Sequence, residues 1–493
     1  MIEEFSPADL VRRDTERLKR YKDLLDFYHD SHWEGRERRN EKRLTFNYAR
    51  AFIDKVTSYL MSGNSLVVEP QEDMGLSPSP IRLRSGQALN LSRQGRVIPN
   101  AEARAAADKA RAALYQVAED NSLEQLDFET EIDCAILGDA CYKVIWDQEA
   151  KRVSITAPDI QGIYTWGVGD DTSKVWRVAS KYSLTQDTAA SLYNVNSKEK
   201  SAVITEVWTE RDFELWVDDV RIEKKANPYG FIPFVIYPNL REPKQFWGVS
   251  DLANIMEPQR ELNRATSQLS KILELSGNPI AVLENVEESQ DIAVRPGAVW
   301  NIPEEAKAYL LDLLQGGGVR LHIDYINLLY RILHDLSESP RAAFGGTERD
   351  LSGVALEIEL QPLLQKVRRK RIIRAAAYTR RNRLILHLLE KYRGESYGEN
   401  RLGVVWGPVL PKDLTALVNN EQILIQSGIH SRRRAMDELG VKDPEMEFSR
   451  WLEERETILR MNKELNASAR SGARVRANEP KAEAVEEMVS PSP

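Results

Sequence analysis

The sequence predicts an α+β fold, mainly helical, and three observations carry that prediction. Apolar residues recur at helical spacing through the first 137 residues and again after residue 250. Between them, residues 140–237 hold short runs rich in Val, Ile, Tyr and Trp. A strongly basic stretch near residue 370 continues one helical pattern far longer than the others. With 493 residues and 42% hydrophobic content, the chain has material for substantial cores, in about two to four domains or one multi-part subunit.

The elements follow in order. Residues 7–28 are expected to be helical, with Leu10, Leu18, Tyr21, Leu25 and Tyr28 between charged residues and a stop near Ser31–Gly35. A second helix is expected over 44–60, where Ala49, Phe52, Ile53, Val56 and Leu60 make one stripe and Gly63 is a candidate C-cap. Residues 71–100 are rich in Ser, Pro, Gly and Gln and predict a long loop. Helices are expected over 101–119 and 123–137. The runs CYKVIW, RVSIT, KVWRVASKY, AVITEVW, FELWV and FIPFVIY predict a mostly antiparallel β region with a short helix near 185–193.

After Phe246-Trp247-Gly248 a helix is expected from 250 to 275, with Pro258 kinking or restarting it. Residues 277–315 predict a compact segment with strands at PIAVLEN and GAVWNIP and one short helix. A helix over 319–336 and a polar, glycine-containing loop over 337–353 come next. The long helix then spans 354–392, interrupted only at Pro362, for ~58 Å at the helical rise. A strand at LGVVWGP precedes a helical region from 412 to 464, and 466–493 lacks periodicity and reads as disordered.

Several chemistries are excluded. No GxxxxGK[ST] occurs, and Gly316-Gly317-Gly318 leads into Val319 and Arg320 rather than Lys and Ser or Thr. Gly167-Val168-Gly169 lacks the third glycine of a dinucleotide site. HExxH and GxSxG are absent. Cys134 and Cys141 have the wrong spacing for a redox or zinc motif and read as buried small side chains. His29 and His32 read better as a polar helix end beside Trp33 than as metal ligands. No catalytic residue, cofactor or metal is therefore expected. The N-terminus has no apolar signal core and no run reaches membrane-spanning length, so a cytoplasmic, membrane-free protein is expected.

The charge balance bears on partners. Net charge is −8, with 68 Lys+Arg against 76 Asp+Glu, so no overall basic excess is available for tight DNA binding. The exception is 365–393, which holds Lys366, Arg368, Arg369, Lys370, Arg371, Arg374, Arg380, Arg381, Arg383, Lys391 and Arg393 against Glu390 alone. Such a helix meets DNA or meets acidic surfaces of its own or a neighbouring subunit; pairing is favoured, because like charges on one helix repel unless opposite charge lies close.

The order of elements, with YKDLLDFYHDSHW at 21–33, NYARAFIDKVTSYLMSG at 47–63, FWGVSDLANIMEPQRELNRATSQL at 246–269, NPIAVLEN at 278–285, LSGVALEIELQPLLQK at 351–366 and IHSRRRAMDELGVKDPEMEFSRWLEER at 429–455, resembles the portal proteins of tailed bacteriophages, the siphophage-type head-to-tail connectors. Residues 71–100 and 466–493 lie outside the resemblance. It implies a portal-type subunit with an α/β wing over 1–245, stem helices over 246–276 and 319–336, and a clip over 277–318. A tunnel loop over 337–353, a long wing helix and strand over 354–409, and a helical crown over 410–465 complete it. The implied role is a ring, usually of twelve copies, at one capsid vertex of the virion, assembled in the host cytoplasm. It would conduct double-stranded DNA during packaging and ejection. Implied partners are the terminase large subunit, the major capsid and scaffolding proteins, and head-tail adaptors.

On this reading Arg341, Phe344, Gly345, Gly346, Glu348 and Arg349 line the channel, with the two arginines nearest phosphate, although a loop between helices is most often a connector. Ile326, Leu329, Tyr330 and Leu333 pack the second stem helix. Glu284, Glu287, Glu288 and Asp291, with Glu304 and Glu305, are either a docking face for the motor or ordinary acidic surface. Lys366, Arg368, Arg369, Arg371, Arg374, Arg380 and Arg381 serve subunit pairing. The rival readings are another head or connector protein, usually shorter and without this element order, and a nucleic-acid-processing enzyme with an unrecognised site.

Overall fold

Residues 5–37, 39, 41–70, 101–193, 200–277, 280–284, 307–311, 318–346, 353–407, 409–410, 414–441 and 444–477 are described by the structure, a computed structural model. They form a mixed α/β protein in two units, Met1–Val409 and Leu410–Pro493.

The first unit opens with α1 (Leu10–Arg13) and α2 (Thr15–Tyr28). Asn47 caps α3 (Tyr48–Leu60) by accepting from the Arg50 N–H at 2.9 Å. After β1 (Asn64–Pro70) come α4 (Ala101–Asp120) and α5 (Leu123–Leu137). Gly138 ends α5 at φ +95°, and a Cβ there would stand 2.8 Å from the Ser250 nitrogen, so only glycine lets the two backbones meet.

The central block holds β2 (Asp139–Asp147), β3 (Arg152–Thr156), β4 (Ile163–Val168), β5 (Asp171–Thr185), α6 (Gln186–Tyr193), β6 (Ser201–Thr209), β7 (Asp212–Val217), β8 (Val220–Ala226) and β9 (Phe234–Pro238). β4 to β8 form an antiparallel meander of five strands, and β3-β2-β9 form a second antiparallel sheet. In β7 the alternation is plain: Phe213, Leu215 and Val217 are buried while Asp212 is exposed.

Then follow α7 (Met256–Gly277), β10 (Ile280–Glu284), β11 (Lys307–Leu311), α8 (Gly318–Leu336), α9 (Gly353–Glu359), α10 (Gln361–Arg393) and β12 (Asn400–Trp406). β10 pairs with β11, and β1 pairs with β12, both antiparallel. α10 lies against β2, β9, α3, α4 and β12, so one core gathers Tyr21, Phe27, Phe52, Tyr142, Val367 and Leu388. In the second unit α11 (Leu414–Gln426) and α12 (Arg432–Glu438) precede α13 (Pro444–Ala477).

The structure departs from the sequence reading at four places. The helix expected from 250 begins at Met256, so Pro258 sits in its first turn, where its missing N–H costs nothing and no kink follows. β11 stands where no strand was expected; Lys307–Leu311 has helix-favouring Ala and Leu, but pairing with β10 outweighs that preference. GAVWNIP lies outside the described residues, as do residues 71–100. β1 was not expected at all. Its short run LVVE is weak until β12 supplies a partner. Finally, α13 continues to Ala477, well into the stretch read as disordered, because Ala, Arg, Glu and Lys sustain a helix without an apolar stripe.

Candidate functional site

The basic stretch forms much of α10, and its charges divide by helix face. Lys366, Lys370, Arg371, Arg374 and Arg381 are buried, whereas Arg368, Arg369, Arg380 and Arg383 are exposed. The buried ones occupy the same stripe as Leu363, Val367, Tyr378 and Ile385. Each meets acceptors from its own chain. Arg374, wholly buried, donates Nε to both oxygens of Glu131 at 3.1 and 2.9 Å, Nη1 to the carbonyls of Pro238 (3.2 Å) and Asn239 (2.5 Å), and Nη2 to Asn239 Oδ1 at 2.8 Å. Arg381 holds Asp127 through both terminal nitrogens, and Tyr142 donates to the same carboxylate at 2.8 Å.

Lys366 lies 3.3 Å from Asp251, and Lys370 donates to that carboxylate's other oxygen. Burial alone would raise the Asp251 carboxyl, but the two ammonium groups hold it well below the usual carboxylate range. Among the described residues Arg371 meets no acid; it donates instead to the carbonyls of Leu60, Tyr59, Ser62 and Gly407. Lys366, Arg374 and Arg381 therefore pair with acids of their own chain, one of the two pairings expected for this helix, and Arg371 is enclosed by its own chain's carbonyls. Arg369 is exposed and pairs with Glu338 at 2.6 Å. A signal was present in the sequence: cations at 366, 370, 374 and 381 fall at apolar-stripe positions, where a solvated charge does not belong.

α7 and α8 pack against each other. On α8, Leu329 and Leu333 are buried, Ile326 and Tyr330 are half-buried, and all four face the chain's own interior. Leu329 and Leu333 are thus core residues, not contacts between copies. A second stripe flanks it, about 110° round the helix: Leu321, Tyr325, Leu328 and Leu336, spaced i, i+4, i+7 and i+15, are 72%, 40%, 47% and 45% exposed. On α7 a polar row is tied to the segment before α3. Gln259 donates to the Phe46 carbonyl at 2.6 Å, Asn263 accepts from the Phe46 N–H at 3.1 Å, and Ser267 accepts from Leu44 at 2.9 Å. Asn263 also meets His32, which is buried and stacked on Phe27. His32 is accordingly a bridge from α2 to α7 rather than a polar helix end; His29 is exposed.

The loop after α8 turns back on the fold. Tyr330 and His334 on α8, Phe52 on α3 and Phe344 form an edge-on aromatic group with centroids 4.6–5.6 Å apart. The His334 ring nitrogen Nδ1 meets the Ser339 carbonyl at 2.6 Å, closing the turn. Phe344 is therefore an anchor for the loop, not a side chain free to line a channel. Arg341 is exposed, with its guanidinium 5.9 Å from the Tyr330 ring. Gly345 is exposed at φ +81°, and a Cβ on Gly346 would collide with the Arg341 side chain at 2.7 Å. Glu348 and Arg349 lie outside the described residues.

Of the acidic candidates between α7 and α8, Glu284 is exposed at the end of β10, opposite Lys307. Glu287, Glu288, Asp291, Glu304 and Glu305 lie outside the described residues. Cys134 and Cys141 are free and buried, and burial pushes both thiols up. Among the described residues no His, Cys, Asp and Glu group has the geometry of a metal site, and no helix is long and apolar enough to cross a membrane.

A family model described as phage portal protein, SPP1 Gp6-like, matches residues 8–460. No curated protein matches the chain.

Proposed function

This chain belongs to the SPP1 Gp6-like family of phage portal proteins, a structural rather than catalytic family of the virion, and from that membership we propose that it assembles into a ring, of twelve copies, at one capsid vertex. The ring conducts double-stranded DNA in packaging and ejection. It docks the terminase large subunit and later the head-tail adaptors, and it meets the major capsid and scaffolding proteins. In this reading residues 1–245 with 354–409 are the wing, α7 and α8 the stem, 277–318 the clip with its acids toward the motor, 337–353 the tunnel loop and 410–465 the crown. Arg341 and Arg349 are the loop's cations toward phosphate.

The observation that carries the ring is the second apolar stripe of α8. A helix whose one face already fills the core has no reason, as a monomer, to present Leu321, Tyr325, Leu328 and Leu336 to water. Contiguous exposed apolar surface of this kind is what a contact between copies covers. The test is substitution of Leu321 and Leu328 by Asp, followed by sizing and negative-stain microscopy. The native chain should give rings with a hole wide enough for duplex DNA. The variant should give folded monomers with unchanged helix content, because an unpaired charge in a packed contact costs several kcal/mol. Native protein that stays monomeric across concentration and salt defeats the proposal.

A further inference from the structure

The two sides of α10 are unlike each other. Tyr378, Arg381 and Asn382, at i, i+3 and i+4, line a cleft of about 910 Å³ bounded by α4, α5 and the β1–β12 ribbon. Tyr115 and Phe128 stand on it 48% and 39% exposed. Glu119, Glu124 and Glu129 line it as well, all exposed, and none forms an ion pair among the described residues; Glu129 only accepts from Gln125 at 2.8 Å. The neighbouring Asp133 carboxyl is pushed up chiefly by burial, with Asp159 and then Glu129 adding to it.

The opposite side of α10 has the reverse character. Ile372, Ala376, Arg380 and Arg383, at i, i+4, i+8 and i+11, form a ridge rotated about 180° from the cleft residues at 3.6 residues per turn. Ile372 is 66% exposed, and it borders a shallow hollow with Ala376, Arg380 and Arg241. Arg241, Arg380 and Arg383 are exposed and form no ion pair among the described residues.

A closed ring is built from a heterologous contact, in which two different surfaces of the subunit meet, and those surfaces approach opposite sides as the ring grows. We propose that the Tyr115–Phe128 cleft of one copy receives the Ile372–Arg383 ridge of the next, with Arg380 and Arg383 facing Glu119, Glu124 and Glu129. The occupant is a second copy of this chain; the inference rests on the ring proposed above and assigns it a pair of surfaces besides the α8 stripe. Charge complementarity selects this occupant. Phosphate would satisfy the two arginines, but it would leave the acidic cleft without a partner. The apolar side chains supply buried area, and the charges fix register and exclude wrong docking.

The experiment uses the full chain in three forms: R380E/R383E, E124R/E129R, and the two combined. Circular dichroism confirms folding, and ring yield is read against concentration by sedimentation and microscopy. Each double reversal places like charge on like charge and should raise the concentration for half-maximal ring formation by roughly tenfold or more. The combined chain, whose charges are swapped across the contact, should recover to within about threefold of the native value. Native-like assembly by either double reversal overturns the proposal, as does loss in both without recovery in the combined form. If R380E/R383E forms normal rings but retains less DNA, those arginines meet DNA and the proposal is likewise overturned. Should a reversal unfold the chain, R380Q/R383Q and E124Q/E129Q replace it, and zero coupling between them is the overturning result. Absence of rings from the native chain counts against the portal assembly itself, which separates the two failures.

Discussion

Replacing Arg374 with Met puts the organisation of α10 to its hardest test. The side chain is wholly buried and its donors reach Glu131, two backbone carbonyls and the Asn239 side chain. Met fills much of the volume but donates nothing. Glu131, itself wholly buried, is left as an unpaired charge, which costs about 3–5 kcal/mol. The carbonyls of Pro238 and Asn239 lose their donor, at ~1–3 kcal/mol for each group left unsatisfied. The total is comparable to the roughly 5–15 kcal/mol that holds a domain folded. Arg374→Met should therefore be recovered in poor yield, with a urea midpoint far below that of the native chain. Adding Glu131→Gln removes the buried charge and should return about 2 kcal/mol or more, read as a coupling in the double-mutant cycle. Arg368→Met, on the exposed face, should stay within about 0.5 kcal/mol of native. A midpoint for Arg374→Met within about 1 kcal/mol of native, or no gain from the second change, would refute the assignment of these charges to internal support.

Two further outcomes follow from the same structure. Phe344→Ala removes the contacts with Phe52 and His334 and should cost ~1–3 kcal/mol, with faster protease cleavage in 337–346 as the local readout; unchanged cleavage would mean the ring does not hold the loop. Asp139 accepts from Tyr21 and from the Gly248 N–H, yet burial outweighs both and pushes its carboxyl from 3.8 up to about 6. A carboxyl raised in the fold contributes stability below its unfolded value, and that contribution is lost as pH rises through about 6. Asp139→Asn should thus remove on the order of 3 kcal/mol of the native chain's loss of stability between about pH 3 and 7, and parallel melting curves for the two would exclude it.

Local pattern determined much of this protein. The helices over 101–120, 123–137 and 318–336, the break before Pro362, and the alternating strands between 139 and 238 are written in spacing and turn residues, because each forms from contacts a few residues apart. The family resemblance was carried the same way, by the order of elements rather than by any one chemical motif. What the tertiary structure decided was partnership. β1 and β12 lie more than 300 residues apart, and neither strand's short run specifies the other. That the cations of α10 meet acid was legible in their density, but which acids was not: Glu131, Asp127 and Asp251, from three distant positions, were brought against them by the fold. Leu329 and Leu333 could not be told from Leu321 and Leu328 by composition, since both stripes are apolar and helical; only the packing of α8 into the common core buries the first and leaves the second exposed. Periodicity is a property of a segment, whereas burial and pairing depend on which other segment arrives, and that is fixed only when the whole chain has folded.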